Sequence, residues 1–231
     1  MINVICLKHG DKYGFNYVNK LYNMVSRHLS LPFKFVCFTD DANHIDARIE
    51  TRLLPNAIYS GWWWKPYVFE KNHFSRGDVN LFLDLDTVII DNIDHYFDYC
   101  VGDFVGLRDV SRAIKPKSFK LGSAVLRWNA GQYSDIWETL VNNPNLIKSM
   151  HGDQDLIWRL YKEDIKFYPD DWIRSYKWEI RNKSELIGVG AGTRFRDNRN
   201  PTVNPNTSII AFHGYPKPCQ VHDKIILDNW R

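Results

Sequence analysis

Short apolar runs and amphipathic stretches alternate along the chain, and their periods define the expected elements. Residues 2–7 and 33–38 are apolar runs of strand length. Between them, Tyr17, Val18, Leu21, Tyr22, Val25 and Leu29 recur at helical spacing across residues 15–29. Strand, helix and strand with a crossover of this length predict two parallel strands joined in the right-handed sense. Residues 80–83 form a nearly continuous apolar run, the pattern of a strand buried on both faces. Further strands are expected at 103–107, 123–128 and 208–212, with a short helical segment at 93–99. Helices are expected at 132–142, with Ile136, Trp137, Leu140 and Val141 on the apolar side, and from Gly152 onward, with Leu156, Ile157, Leu160 and Tyr161 as the buried stripe. Pro66 suits a first helical position and predicts a helix over 67–74. Residues 108–121 read as a loop. The sum is an α/β chain with a mixed, mainly parallel sheet flanked by helices, and 231 residues suffice for one such domain.

Composition narrows the function classes. A formal charge of +3 is small for this length and no Lys/Arg block is present, so no nucleic-acid footprint is expected, although a mildly basic cleft suits a diphosphate. Nine tryptophans leave rings available for ligand stacking as well as for the core. Cys6, Cys37, Cys100 and Cys219 form no Cys-x-x-Cys pair, and the first two lie in apolar runs, so free thiols in a reducing compartment are expected. The N-terminus does not read as a signal peptide and no apolar run reaches membrane-spanning length. The expectation is a soluble, cytoplasmic protein without an integral membrane segment.

The chemistry concentrates where the apolar run at 80–83 ends in Asp84-Leu85-Asp86-Thr87. Ligands of open α/β sheets lie beyond the carboxyl ends of the strands, so both aspartates are expected in the cleft. Spacing of i, i+2 puts them on one face if strand geometry persists, giving two hard oxygen ligands for Mg²⁺ or Mn²⁺. Three readings compete: solvated turn residues, the Asp-x-Asp-x-Thr nucleophile motif of a haloacid-dehalogenase-type phosphatase with Asp84 as nucleophile, and the Asp-x-Asp of a metal-dependent sugar transferase. About eighty residues precede the motif, which suits the third reading because they supply a nucleotide-binding half.

Other positions join these. The first turn lacks Gly-x-Gly-x-x-Gly, which argues against a dinucleotide dehydrogenase. Tyr13 can stack on a base or simply pack against a helix, and Lys8 can meet a phosphate or end in solvent. Asp40 can read a base or ribose, or cap the next turn. Gly152-Asp153-Gln154-Asp155 is an ordinary helix start, with acids in the first turn complementing the helix dipole. In His213-Gly214-Tyr215-Pro216-Lys217-Pro218, histidine can bind metal, glycine lets backbone approach a phosphate, and lysine neutralises it. Residues 186–207, with Gly188, Gly190, Gly192, Arg194, Arg196 and Arg199, read as a basic loop, either a lid over a diphosphate or a solvated surface.

Taken together, Leu83-Asp84-Leu85-Asp86, Gly152-Asp153-Gln154-Asp155 and the C-terminal His213-Gly214-Tyr215-Pro216-Lys217-Pro218 resemble, in order and rough separation, glycosyltransferase family eight, the glycogenin and bacterial galactosyltransferase group with the GT-A (Rossmann-like) fold. The resemblance spans about residues 1–220. It implies a nucleotide-binding half over about 1–90 and an acceptor and metal half over about 91–231. It further implies transfer from a nucleoside-diphosphate sugar, a UDP-sugar, to a saccharide or other hydroxyl acceptor, with retention of configuration and Mn²⁺ or Mg²⁺ as cofactor. Asp84, Asp86 and His213 match the metal ligands. Asp84 is expected also near the donor ribose or sugar, Lys65 toward the donor, Lys217 at the diphosphate, Asp153 at the donor sugar hydroxyls and Gln154 near the sugar face under attack. The family's Asn-x-Gly appears here as Gly122-Ser123-Ala124, which leaves the donor sugar open. A protein of the same fold that binds nucleotide sugars or glycans without turnover is the third possibility.

Overall fold

Side-chain alternation divides each central strand between two cores. In the computed structural model, which describes residues 1–56, 58–196 and 201–231, Val4 and Cys6 of strand β1 (Ile2–Lys8) face one core while Ile5 faces the other. Phe35 and Cys37 against Val36 and Phe38 do the same in β2 (Phe33–Thr39). Leu81 and Leu83 against Phe82 repeat it in β4 (Val79–Leu83). Strands buried on both faces need apolar residues at every position, which is why their sequences read as continuous runs.

The first core is covered by α1 (Phe15–His28), whose Tyr17, Val18, Leu21, Met24 and Val25 are buried. The second is covered by a 3₁₀ helix (Gly61–Phe69), by α3 (Asp135–Asn142) and by α4 (Asp153–Tyr161). With β3 (Glu50–Leu53), β6 (Val105–Arg108), β7 (Leu121–Asn129) and β8 (Lys166–Phe167), the strands form a seven-stranded sheet ordered β3-β2-β1-β4-β7-β6-β8. All its pairings are parallel except those of β7 with β4 and β6. The mixed, mainly parallel sheet flanked by helices is thus the observed architecture.

A second, three-stranded sheet matters most for the site. Its order is β5 (Thr87–Ile89), β12 (Ile209–Ala211), β9 (Ile173–Ser175). Because Ala211 sits opposite Thr87, and the Phe212 amide donates to the Asp86 carbonyl at 3.3 Å, the segment after β12 begins beside the Asp84–Asp86 turn. Among the described residues, the remaining α-helices and strands are α2 (His95–Asp98), the hairpin of β10 (Leu186–Ile187) and β11 (Arg194–Phe195), and α5 (Lys224–Asn229). Among the described residues, no helix is long and apolar enough to cross a membrane.

Several sequence-based expectations are corrected. The helix expected over 67–74 lies instead at Gly61–Phe69, is 3₁₀, and holds Pro66 inside it. Burial of Trp64 against Tyr59 and Trp137 draws the preceding turn into the helix, while Glu70 ends it. Strand geometry does not persist through Asp84–Asp86: the Thr87 amide donates to the Asp84 carbonyl at 3.1 Å, closing a turn that points Leu85 into the core. The stretch 108–121 contains a 3₁₀ turn, Val110–Ala113, capped by Asp109. The 186–207 stretch is not featureless, since its hairpin docks Phe195 against Tyr176. Arg194 and Arg196 are exposed there, and Arg199 lies outside the described residues.

Leu81 is fully buried in the centre of the large sheet. Leu81→Ala is expected to lower unfolding stability by about 2–5 kcal/mol through lost burial and the cavity left behind. Urea denaturation should show a lower midpoint at unchanged slope.

Candidate functional site

At the carboxyl ends of β1 and β4, a cleft of about 420 Å³ opens between the two sheets' edges and the start of α4. Three carboxylates reach it from two elements. The turn after β4 delivers Asp84 and Asp86, and the first residue of α4 delivers Asp153. The two acids at the helix start divide their work. Asp155 accepts from the His151 amide at 3.0 Å and closes the turn, whereas Asp153 is buried and faces the cleft.

Two buried lysines hold these charges. Lys65, 4% exposed, donates to Asp84 Oδ1 at 2.9 Å and to the carbonyl and hydroxyl of Ser123, both at 3.0 Å, and lies 3.4 Å from Asp153 Oδ2. Burial alone would push this ammonium down, but Asp153 and then Asp84 outweigh it and hold its pKa raised. Asp153 Oδ2 is enclosed on the Lys65 side, while the residue as a whole lines the cleft. Lys217 Nζ contacts Asp86 Oδ2 at 2.5 Å and donates to the Tyr13 hydroxyl at 2.7 Å, which in turn donates to Asp86 Oδ2 at 2.7 Å. Burial and the adjacent Asp86 push the Tyr13 phenol far above its ordinary value, so it stays protonated as a donor.

The Asp84 carboxyl is raised, first by burial, with Lys65 pulling it down and Asp86 pushing it up. A third of its side chain (35%) remains open to the cleft. A carboxyl raised in the folded state gives stability that is full below the ordinary carboxylate range and is lost as pH rises through its folded pKa.

The structure brings together most of the residues singled out from sequence. Asp84, Asp86, Asp153 and Gln154 line the cleft with Tyr13, Lys65 and Lys217, and His213 and Gly214 close its C-terminal edge. Gly214 has φ +60°, and an added Cβ would meet Lys177 Nζ at 3.1 Å, so backbone there stays bare. Lys8 and Asp40 are not part of the lining: they pair with each other at 3.6 Å, and Asp40 also accepts from the Gly10 amide at 2.8 Å. Tyr13 meets the Tyr17 ring at 4.9 Å between centroids, so it serves as both packing ring and Asp86 partner. Sequence reasoning missed Lys12, Ser123 and Trp62. Lys12 faces the cleft with its pKa lowered by burial and by Lys217. Ser123 lines the cleft and offers both its carbonyl and its hydroxyl to Lys65. Trp62, 51% exposed, stands on the rim, and the Trp run was the available signal.

A divalent cation fits this donor set by type. The lysine pairs use Asp84 Oδ1 and Asp86 Oδ2, leaving one oxygen of each carboxylate for a hard cation. His213 lines the same cleft, with Nε2 at 2.8 Å from Ser175 Oγ. Among the described residues no three His, Cys, Asp or Glu side chains converge on one metal-sized point, so the imidazole is not gathered with the carboxylates in this structure.

No family model matches the chain, and no curated protein sequence matches it. Solved structures do. The chain is similar to the glycosyltransferase GlyE of Streptococcus pneumoniae TIGR4, with TM-score 0.68 and 11% identity over 100% of this chain and 60% of that one. The fold is GT-A. It is also similar to the galactosyltransferase LgtC solved with donor and acceptor sugar analogs, with TM-score 0.61 and 13% identity over 94% of this chain and 88% of that one. WbbM, a bifunctional glycosyltransferase, gives 0.58 and 12% over 94% of this chain and 46% of that one. The chain thus spans less than two thirds of GlyE and about half of WbbM. At these identities the likeness is one of fold.

Removing Lys65 leaves Asp84 and Asp153 facing each other without their shared cation. Lys65→Met is expected to cost about 3–5 kcal/mol at neutral pH, as breaking a buried pair does. Calorimetric melting of the two proteins measures it.

Proposed function

We propose that the protein is a family-eight-type glycosyltransferase. It moves a sugar from a nucleoside-diphosphate donor, preferably a UDP-sugar, to a hydroxyl of a saccharide or other acceptor, with a divalent cation and with retention. The observation that carries this reading is the pairing, inside one cleft of a GT-A fold, of the Asp84–Asp86 turn with Lys217 from the C-terminal segment. LgtC, solved with donor and acceptor sugar analogs, supports a donor and an acceptor as the ligands. Four free thiols support a cytoplasmic setting.

Asp84 and Asp86 are the residues that would hold Mn²⁺ or Mg²⁺, and His213, which lines the same cleft but is not gathered with them in this structure, would have to move to join them. When bound, the cation supplies Lewis-acid stabilisation to the departing diphosphate. Negative charge grows on that diphosphate as the glycosidic bond breaks, and the Lys217 ammonium and the bare backbone at Gly214 are placed to receive it. Asp153, which lines the cleft, accepts from a donor sugar hydroxyl. Lys65 fixes Asp84 and Asp153 relative to each other, so sugar and diphosphate contacts keep one geometry. Gln154, half-buried beside Asp153, faces the sugar side from which the acceptor attacks. No carboxylate is assigned as nucleophile; the acceptor hydroxyl attacks from the same face, and the leaving phosphate takes its proton.

Incubating the protein and Mn²⁺ with a panel of nucleotide sugars, and reading free nucleoside diphosphate, tests this directly. A UDP-sugar is expected to turn over, and Asp86→Asn to lower turnover by about 10²-fold or more. Purine-sugar donors turning over better would overturn the uridine assignment. Hydrolysis of p-nitrophenyl phosphate that depends on Asp84, with every nucleotide sugar left intact, would replace the reading with the phosphatase one.

A further inference from the structure

Lys217 raises a question that its expected role at a diphosphate does not answer. Its ammonium does not point idly into the cleft. It lies 2.5 Å from Asp86 Oδ2 and 2.7 Å from the Tyr13 hydroxyl, in a side chain that is 8% exposed. The Tyr13 hydroxyl donates to the same Asp86 oxygen, so carboxylate, phenol and ammonium form a closed three-membered arrangement. The main chain beneath is tied separately: the Lys217 amide donates to Gln220 Oε1 at 2.7 Å, within the turn Pro218–Gln220. Only the four-carbon stem therefore has to move to carry the charge elsewhere.

Asp86 is also one of the two carboxylates able to hold a divalent cation. A doubly charged ion arriving there meets an ammonium already in contact with its ligand, and the half-open cleft screens that repulsion only in part. Lys12 faces the same cleft and adds to the positive field. Asp84, Asp86 and Asp153 attract the ion, and the two ammonium groups subtract from that attraction until an anion arrives. A diphosphate offers Lys217 oxygens carrying more negative charge than one shared carboxylate, and at the same time offers the metal its missing ligands.

We propose that Lys217 is a place-holding cation. It neutralises Asp86 in the empty protein and gives up that carboxylate only when a nucleoside diphosphate draws its ammonium away, so that metal and nucleotide enter as a pair. Each ligand then binds weakly alone, and each strengthens the other by the same factor. The device keeps the aspartate turn compensated between turnovers and stops free metal from filling a cleft that lacks a donor. Tyr13 is a positioning residue in this scheme, since its hydroxyl fixes both members of the pair. The inference rests on the metal-dependent reading of the site given above.

Mn²⁺ binding to the full chain, followed by electron paramagnetic resonance without and with UDP, separates the two. In the unaltered protein UDP is expected to tighten Mn²⁺ binding by about 10-fold or more. Lys217→Met keeps the length and apolar stem of the side chain but removes its charge. It is expected to bind Mn²⁺ alone about 10-fold more tightly than the unaltered protein and to gain less from UDP. Tyr13→Phe, which frees Lys217 from one of its two anchors, is expected to move Mn²⁺ affinity the same way by a smaller factor. It carries the test if Lys217→Met does not fold. Mn²⁺ affinity without nucleotide that is unchanged or weaker in both variants, while UDP still promotes Mn²⁺ binding to the unaltered protein, overturns the place-holder and leaves the metal site standing. Failure of the unaltered protein to bind Mn²⁺ even with UDP overturns the metal site itself, and the place-holder with it.

Discussion

One buried ammonium, that of Lys65, is the contact on which the geometry of the cleft depends. It joins Asp84, at the end of a central strand, to Asp153, at the start of a helix packed on the opposite side of the cleft, and both acids would otherwise be half-stranded charges in a poorly solvated place. A lysine fits there because Ser123 supplies two neutral acceptors and the Phe82 ring lies 4.8 Å from its nitrogen, so every side of the ammonium is occupied. Such an arrangement adds little net stability compared with an apolar replacement, but losing one member of it is costly. Its value lies in fixing three polar groups from three elements at one relative placement.

The second lysine depends on the fold in a different way. Lys217 reaches Asp86 because strand β12 pairs antiparallel with β5, the strand that follows the aspartate turn directly. The small sheet thus converts a separation of 131 positions into a direct ion pair. Three carboxylates, Asp84, Asp86 and Asp153, and three lysines, Lys12, Lys65 and Lys217, thus face one cleft with charges of both signs interspersed. The proposed metal nucleotide also carries both signs.

Much of this was legible in the chain, for identifiable reasons. Continuous apolar runs with period-two burial gave β1, β2 and β4, and the helical stripe of Tyr17, Val18, Leu21 and Val25 gave α1. The aspartates were findable because charge follows an apolar run abruptly. Less legible was anything set by packing of distant segments. The 3₁₀ helix begins at Gly61 because Trp64 seeks an aromatic cluster with Tyr59 and Trp137, and no local periodicity announces that. Lys8 looked suited to a phosphate, yet Asp40, the residue after the neighbouring parallel strand β2, pairs with it, a placement set by the register of Lys8 against Thr39. Ser123 carried no role in the sequence reading, and it holds Lys65 through its carbonyl and hydroxyl.

The central claim is that the Asp84–Asp86 turn, Asp153 and the two lysines form a donor-diphosphate site. Crystals grown with Mn²⁺ and UDP, with data collected at the manganese edge, test it most directly. The account predicts an anomalous peak between the carboxylates of Asp84 and Asp86, with the Lys217 nitrogen moved from Asp86 to a phosphate oxygen. Manganese and nucleotide bound elsewhere, with Lys217 still on Asp86, would contradict it.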